Sequence, residues 1–191
     1  MKKLYSLFFL MFLPLVMFGQ DIIFTDMSTK FSGSDAWRDW SIRTENNIGN
    51  LNTIFSGNDS WKEWRVVIGS FEGSIRTMFS DDDAWKEWRF DFQNSSGYIR
   101  TRYSGNDAWR DWDIYDYNTS LYAGTVYSGD DAWKEWRIYG QRGEIRVRSK
   151  FGGNDAWKDW SIEDRMRTED NGLKMAAIFA CIISAVMQNK Q

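Results

Sequence analysis

The sequence predicts an all-β repeat protein, in which six units of 24 residues each contribute a strand, a turn and a second strand. A tryptophan recurs every 24 residues from Trp37 to Trp157, and a second tryptophan follows three residues after each one. Apolar and polar residues alternate on both sides of these pairs, which is typical of strands with one buried face. Such units stack on their neighbours because one unit alone cannot bury its apolar face.

The repeat divides the chain into four predicted segments. Lys2 and Lys3 followed by an apolar stretch indicate a signal peptide, and that stretch of about fifteen residues is shorter than a membrane span. We therefore expect export, either into the medium or to the cell envelope, and no membrane span after cleavage. The segments are a signal peptide (1–20), a six-repeat β domain (21–163), a linker (164–172) and an apolar C-terminal helix (173–188).

In the first five units the first strand carries threonine and an aromatic residue two positions apart, and Val147 with Phe151 closes the series in the sixth; the shared parity predicts that these residues face inward. The second strand begins at the second tryptophan, and its parity with the following isoleucines and valines predicts a buried tryptophan row. The aromatic row comprises Phe31, Phe55, Phe79, Tyr103, Tyr127 and Phe151, and the buried row Trp40, Trp64, Trp88, Trp112, Trp136 and Trp160.

The connection inside each unit is predicted to be one helical turn. Ser56, followed three residues later by Asp59, resembles a capping box, and the Ala, Lys and Glu residues of this segment are poor strand formers. On a helical turn both tryptophans of a unit lie on the same side. An extended connection, the alternative, places the first tryptophan on the outer face.

The twelve strands are expected to form an array of antiparallel β-hairpins. A parallel β-solenoid with one coil per unit is the alternative, because coil stacking also demands a constant period, and a closed ring of hairpins is a third arrangement. The C-terminal helix is apolar almost all round and is expected to cap the open end or face of the array. Its small residues, such as Ala176, Ala180 and Ser184, also suggest a homodimer through this helix.

In general character, the hairpin organisation of Thr29 to Ile162 is similar to the choline-binding cell-wall modules and to the membrane-occupation repeats. The chain lacks the paired aromatics around glycine of the first family and the regular glycine spacing of the second. The similarity therefore implies an architecture and no functional residues.

Composition argues against several classes of function. After Lys2 and Lys3 are removed, 22 basic residues stand against 27 acidic ones, so nucleic acid is not an expected partner. Histidine is absent and Cys181 is the single cysteine, which leaves no internal disulfide. Carboxylates such as Asp59 and Glu63 recur equally in six copies, unlike those of a single active site. We expect no enzyme, no catalytic residues, no cofactor and no metal, since the acidic turns lack the spacing of a calcium-binding loop.

The predicted function is non-catalytic binding of extracellular or cell-wall polysaccharide by a periodic row of aromatic side chains. The alternative is a structural or protein–protein interaction scaffold of the cell envelope, with an envelope protein as the partner. The predicted ligand-binding residues are the first tryptophans of the units, Trp37, Trp61, Trp85, Trp109, Trp133 and Trp157.

Overall fold

The computed structural model describes residues 21–189, so the predicted signal peptide, residues 1–20, lies outside the described residues. Residues 21–189 form twelve strands, six single-turn 3₁₀ helices and one α-helix. The strands are β1 (Phe24–Thr29), β2 (Asp39–Thr44), β3 (Ile48–Thr53), β4 (Glu63–Ile68), β5 (Phe71–Thr77), β6 (Glu87–Phe92), β7 (Ser95–Thr101), β8 (Asp111–Asp116), β9 (Ser120–Thr125), β10 (Glu135–Gly140), β11 (Gly143–Ser149) and β12 (Asp159–Asp164). The 3₁₀ turns are Ala36–Arg38, Ser60–Lys62, Ala84–Lys86, Ala108–Arg110, Ala132–Lys134 and Ala156–Lys158, and the helix is α1 (Asn171–Asn189).

The strands form one closed antiparallel barrel. Each strand pairs with its neighbours in the chain, and β1 pairs with β12 to complete the ring. The predicted hairpin array is thus confirmed in closed form. The β-solenoid alternative is wrong, because a solenoid pairs parallel strands that lie one repeat apart.

The strand register repeats around the ring. Thr53 pairs with Trp64 and Thr77 with Trp88, and the first unit follows the same rule, with Thr29 opposite Trp40. The six units are therefore related by an approximate sixfold rotation about the barrel axis. Equivalent residues of the six units lie on circles around that axis.

The second tryptophans face the interior, as predicted, and each is at most 1% exposed. Val66 and Ile75 lie on the same inner surface, whereas Arg65 and Arg76 point outward. The barrel therefore has an apolar interior and a charged outer wall.

The helix α1 lies inside the barrel. Every residue from Gly172 to Val186 is buried, and the helix packs against β6 to β10 and the 3₁₀ turns of the fifth and sixth units. The prediction that this helix caps an open end or face of the array was wrong, because the array is closed and the helix fills its interior. A barrel of about eight strands is filled by its own side chains, whereas one of twelve is wider and takes in a helix of roughly 10 Å diameter.

The helix is also long and apolar enough to cross a membrane by length and composition, but 83% of its most apolar window is buried within the molecule. Its position in the lumen explains why it is apolar on all sides. The homodimer through this helix stays a prediction, and in this structure the small-residue face contacts the barrel's own wall.

The aromatic row of the first strands was assigned to the wrong surface. Phe31, Phe55 and their four equivalents are 54–64% exposed rather than buried. The strands end at the threonine, for example at Thr53, two residues before the aromatic. Beyond the last pair of the ladder, strand parity no longer determines which way a side chain faces.

A buried ionic contact joins the first and last strands. Each of the other unit boundaries is bridged by a hairpin, but no hairpin joins β12 to β1, because the chain continues from β12 into α1. The ammonium of Lys174 donates to Asp164 Oδ2 (3.1 Å), Asp21 Oδ1 (3.0 Å) and the carbonyl of Ile22 (2.6 Å). Asp164 Oδ2 also accepts from the backbone N–H of Phe24 (3.3 Å). We call Lys174, Asp164 and Asp21 the clasp.

Candidate functional site

The six 3₁₀ turns all lie at one end of the barrel, which we call the turn end; the opposite end, with the β-hairpins, is the hairpin end. In the second unit, Ser60 N–H donates to the carbonyl of Gly57 (3.2 Å), and Lys62 N–H to that of Asp59 (3.0 Å). Gly57 has φ +98°, a conformation that favours glycine. The predicted helical turn is confirmed.

The capping interpretation of this turn was wrong. Asp59 occupies the N-cap position but makes no side-chain hydrogen bond to the backbone. Its carboxylate instead pairs with Lys62, three residues on, at 3.0 Å. Equivalent pairs, three residues apart, occur in all six units.

The three-residue spacing of the tryptophans has a direct structural cause. The indole Nε1–H of Trp64 donates to the carbonyl oxygen of Trp61 at 2.6 Å, and the other five units have the same bond at 2.6–2.9 Å. The bond satisfies a carbonyl at the end of the turn and the polar atom of a fully buried ring.

The two tryptophan rows interlock into a continuous ring. The first tryptophan of each unit packs on the second tryptophan of the next, with centroids 5.8–6.3 Å apart and planes inclined at 59–70°. Trp157 of the last unit packs on Trp40 of the first, which closes the ring. Lysine or arginine from the same turn covers each first tryptophan, as Lys62 does at 5.6 Å from the centroid of Trp61.

The predicted ligand-binding tryptophans differ in accessibility. Trp37, Trp109, Trp133 and Trp157 are buried, at 5–6% exposure, and form part of the core. Trp61 and Trp85 are partly buried and pack against that core. Only these two members of the row expose an appreciable part of the indole.

A cavity of about 1040 Å³ opens at the turn end, beside the end of α1. The cavity lies on the side of Trp61 and Trp85 because the helix packs towards the fifth and sixth units. Ile183 and Val186 of α1 contribute apolar surface to it. The polar lining includes Asn58, Asp83, Lys86, Asn106, Asp107, Arg110 and Asp130, and the aromatic lining Trp37, Trp61, Trp85 and Trp109.

The charges that line the cavity are largely paired. Lys86 contacts Asp83 at 2.6 Å, and Arg110 contacts Asp107 at 3.1 Å. The lining thus offers hydrogen-bond donors and acceptors with little excess charge. Within residues 21–189, no group of three or more histidine, cysteine, aspartate or glutamate side chains is arranged to hold a metal ion.

Two side chains with shifted pKa values, Cys181 and Tyr122, lie away from the cavity. Burial raises the pKa of the Cys181 thiol well above its usual value, which disfavours the reactive thiolate. Burial, and then a hydrogen bond to Asp111, raises the pKa of Tyr122 to about 12. Neither residue lines the cavity.

Sequence reasoning missed a second feature of the turn end. We call the six exposed aromatic residues Phe31, Phe55, Phe79, Tyr103, Tyr127 and Phe151 the aromatic rim. The signal that identifies them is their position between the end of a strand, at threonine or at Ser149, and the glycine or aspartate of the turn, where the ladder has already ended.

The fold and the cavity define a closed barrel of repeated hairpins with an aromatic-lined cavity at the turn end. No protein-family model, no curated protein and no solved structure matches this chain. Function is therefore inferred from the geometry of the turn end.

Proposed function

We propose that this chain is an exported, non-catalytic binding protein of the cell envelope or the medium, and that it takes a segment of polysaccharide into the cavity at the turn end. One observation carries the proposal: Trp61 and Trp85, from the row predicted to bind ligand, line an open cavity together with amide and carboxylate side chains.

The lining suits the two-sided chemistry of a sugar ring. A pyranose has an apolar C–H face, which packs on flat aromatic surface, and hydroxyl groups at its edge, which both donate and accept hydrogen bonds. The exposed parts of Trp61 and Trp85, beside the lysine that lies over each ring, offer the first kind of surface, and Asn58 and Asn106 supply amide groups of the second kind.

The volume and the charge narrow the ligand further. At about 1040 Å³ the cavity is at the upper end of the range for small-molecule sites, and it accommodates a few sugar rings. The paired charges of Lys86 with Asp83 and of Arg110 with Asp107 favour a neutral sugar over a strongly acidic one. The first five units line one continuous cavity, so the proposal places one binding site at this end rather than six equal ones.

The proposal is tested by removing polar groups that line the cavity without touching the core. We expect the double variant Asn58→Ala/Asn106→Ala to bind a neutral cell-wall or capsule oligosaccharide about tenfold more weakly, since each lost hydrogen bond contributes about 0.5–1.5 kcal/mol. Tryptophan fluorescence and calorimetric titration measure the affinity.

The sixth unit supplies a matched control. Asn154 occupies the turn position equivalent to Asn58 and Asn106 but does not line the cavity. Asn154→Ala should therefore leave the affinity unchanged. An equal loss in this variant, or no binding of any oligosaccharide by the unmodified protein, contradicts the proposal.

A further inference from the structure

The aromatic rim is an exposed apolar feature with the symmetry of the barrel. Its six side chains are 54–64% exposed, whereas the tryptophans next to them are buried or partly buried. Because the strand register is the same in all six units, their equivalent backbone positions lie on one circle in a plane across the barrel axis. Only a flat partner reaches all six positions at once.

One arc of the rim carries additional apolar side chains. Ile54 and Met78 precede Phe55 and Phe79 and are 42% and 39% exposed. Aliphatic side chains provide neither hydrogen bonds nor flat stacking surface for a sugar. This arc matches hydrocarbon better than it matches carbohydrate.

The charge of the turn end indicates which flat surface fits. The six turn segments (30–38, 54–62, 78–86, 102–110, 126–134 and 150–158) contain nine basic and nine acidic residues. A neutral rim has no electrostatic preference for an anionic surface. The outer wall carries arginines such as Arg65 and Arg76, so the turn end is the surface suited to a lipid contact.

We propose that the turn end docks flat on a zwitterionic lipid bilayer, with the aromatic rim and the Ile54–Met78 arc inserted at the boundary between headgroups and acyl chains. Tyrosine is enriched at this depth of a membrane, and phenylalanine is common on the apolar face of elements that lie in this boundary. Docking by exposed side chains leaves the barrel closed and its lumen filled.

The cavity opens on the same end, so a docked molecule turns it towards the headgroups. On the further condition that the proposed sugar binding holds, the polysaccharide segment that enters the cavity is one that lies at the membrane surface. The lipid contact itself does not depend on that condition.

Flotation with phosphatidylcholine vesicles tests the docking. The exported protein is purified, and N-terminal sequencing verifies that residues 1–20 are absent, because that segment is itself apolar. We expect the protein to float with the vesicles to the same extent at low and high salt. Phe55→Ser/Phe79→Ser should weaken the partitioning at least tenfold.

The matched control removes exposed apolar residues from the hairpin end. Ile48 and Tyr117 are 69% and 99% exposed there, so Ile48→Ser/Tyr117→Ser deletes comparable side chains on the wrong side of the molecule. This variant should bind vesicles as the unmodified protein does. Thermal melting of both double variants checks that the fold is intact.

Three results overturn the docking proposal: no flotation of the unmodified protein, equal loss in both double variants, or a rim-dependent dimer in solution with no vesicle binding. The last result assigns the rim to a second copy of the chain. Titration of the same proteins with soluble oligosaccharide separates the two proposals, since sugar binding without flotation removes only the lipid contact, and flotation without sugar binding removes only the cavity ligand.

Discussion

The spacing between the tryptophans of a pair is set by a hydrogen bond. The second indole donates to the carbonyl of the first tryptophan, for example from Trp64 to Trp61, and a single 3₁₀ turn brings these two atoms together. Each pair then packs against the next unit through Trp61 on Trp88. Changing the spacing by one residue breaks both contacts.

Residue parity predicted the inner surface only where a strand continues. Trp64, Val66 and Ile68 face inward as predicted, because all three lie within β4. Phe55 lies two residues past the end of β3, where side-chain direction depends on the turn. The rim residues were therefore expected in the core. The greater exposure of Trp61 and Trp85, compared with the rest of their row, depends on where α1 packs, and a local sequence pattern does not contain that information.

Lys174 is the charged side chain for which sequence periodicity gave no role. It is fully buried in an apolar helix and pairs with Asp164, whose side chain is also fully buried. Removing one member of a buried pair leaves the other charge uncompensated. We expect Lys174→Met to lower the free energy of unfolding by about 3–5 kcal/mol, measured by urea denaturation.

Two further variants define that effect. Lys174→Met/Asp164→Asn removes both charges and should recover part of the loss. Lys150→Met breaks a surface pair with Asp26 and should cost less than about 1 kcal/mol. If Lys174→Met costs no more than Lys150→Met, the clasp does not stabilise the barrel.

The three-residue 3₁₀ turn occurs in all six units, although the residues that precede it differ between units. Gly33, Gly57, Gly105, Gly129 and Gly153 all have positive φ, whereas the third unit has Asp81 at this position without one. The turn was predictable because Ala, Lys and Glu disfavour a strand. The contact that Asp59 makes was not predictable, because Lys62 lies as near along the chain as the backbone N–H groups that an N-cap residue binds.

Substitutions at two adjacent glycines of the sixth unit measure the effect of backbone strain on stability without the effect of a steric clash. Gly153 has φ +83° and Gly152 has no positive φ, and a Cβ at either position meets no atom within 4 Å. We expect Gly153→Ala to destabilise the protein by about 1–2 kcal/mol through the left-handed backbone. The thermal midpoint of unfolding measures the change.

Gly152→Ala is the control for that prediction. Alanine at an unstrained position restricts the unfolded chain and should stabilise by about 0.4–1 kcal/mol, or have little effect. If both variants destabilise equally, the conformation of Gly153 is not the cause.

For the complete barrel, the sequence predicted the hairpin array but did not decide between an open array and the closed ring that the structure shows. Closure depends on the accumulated twist and stagger of twelve strands, which no single unit specifies. An all-round apolar helix fits a cap, a dimer contact or a filled lumen equally well. Trp64 and Trp88 pack on Phe179 of α1, and Trp112 donates to Ser184, and these contacts exist only once the ring has formed around the helix.

Removing α1 should therefore destroy the barrel rather than uncover one end of it. We expect deletion of residues 171–191 to abolish cooperative unfolding and to produce strong binding of a hydrophobic dye, because the inner tryptophan ring becomes exposed. Deletion of residues 188–191 alone leaves the buried part of the helix and should preserve the melting transition. A cooperative transition at the original temperature after the larger deletion shows that the wall is stable when empty.

The position of α1 after the twelfth strand also fixes when the interior can be completed. As the chain is made from its N-terminus, all twelve strands emerge before the segment that they must surround. Until α1 has been made, it cannot fill the lumen, and Asp164 lacks its contact with Lys174. The order of segments therefore makes filling of the lumen and formation of the clasp the last steps in completing the barrel.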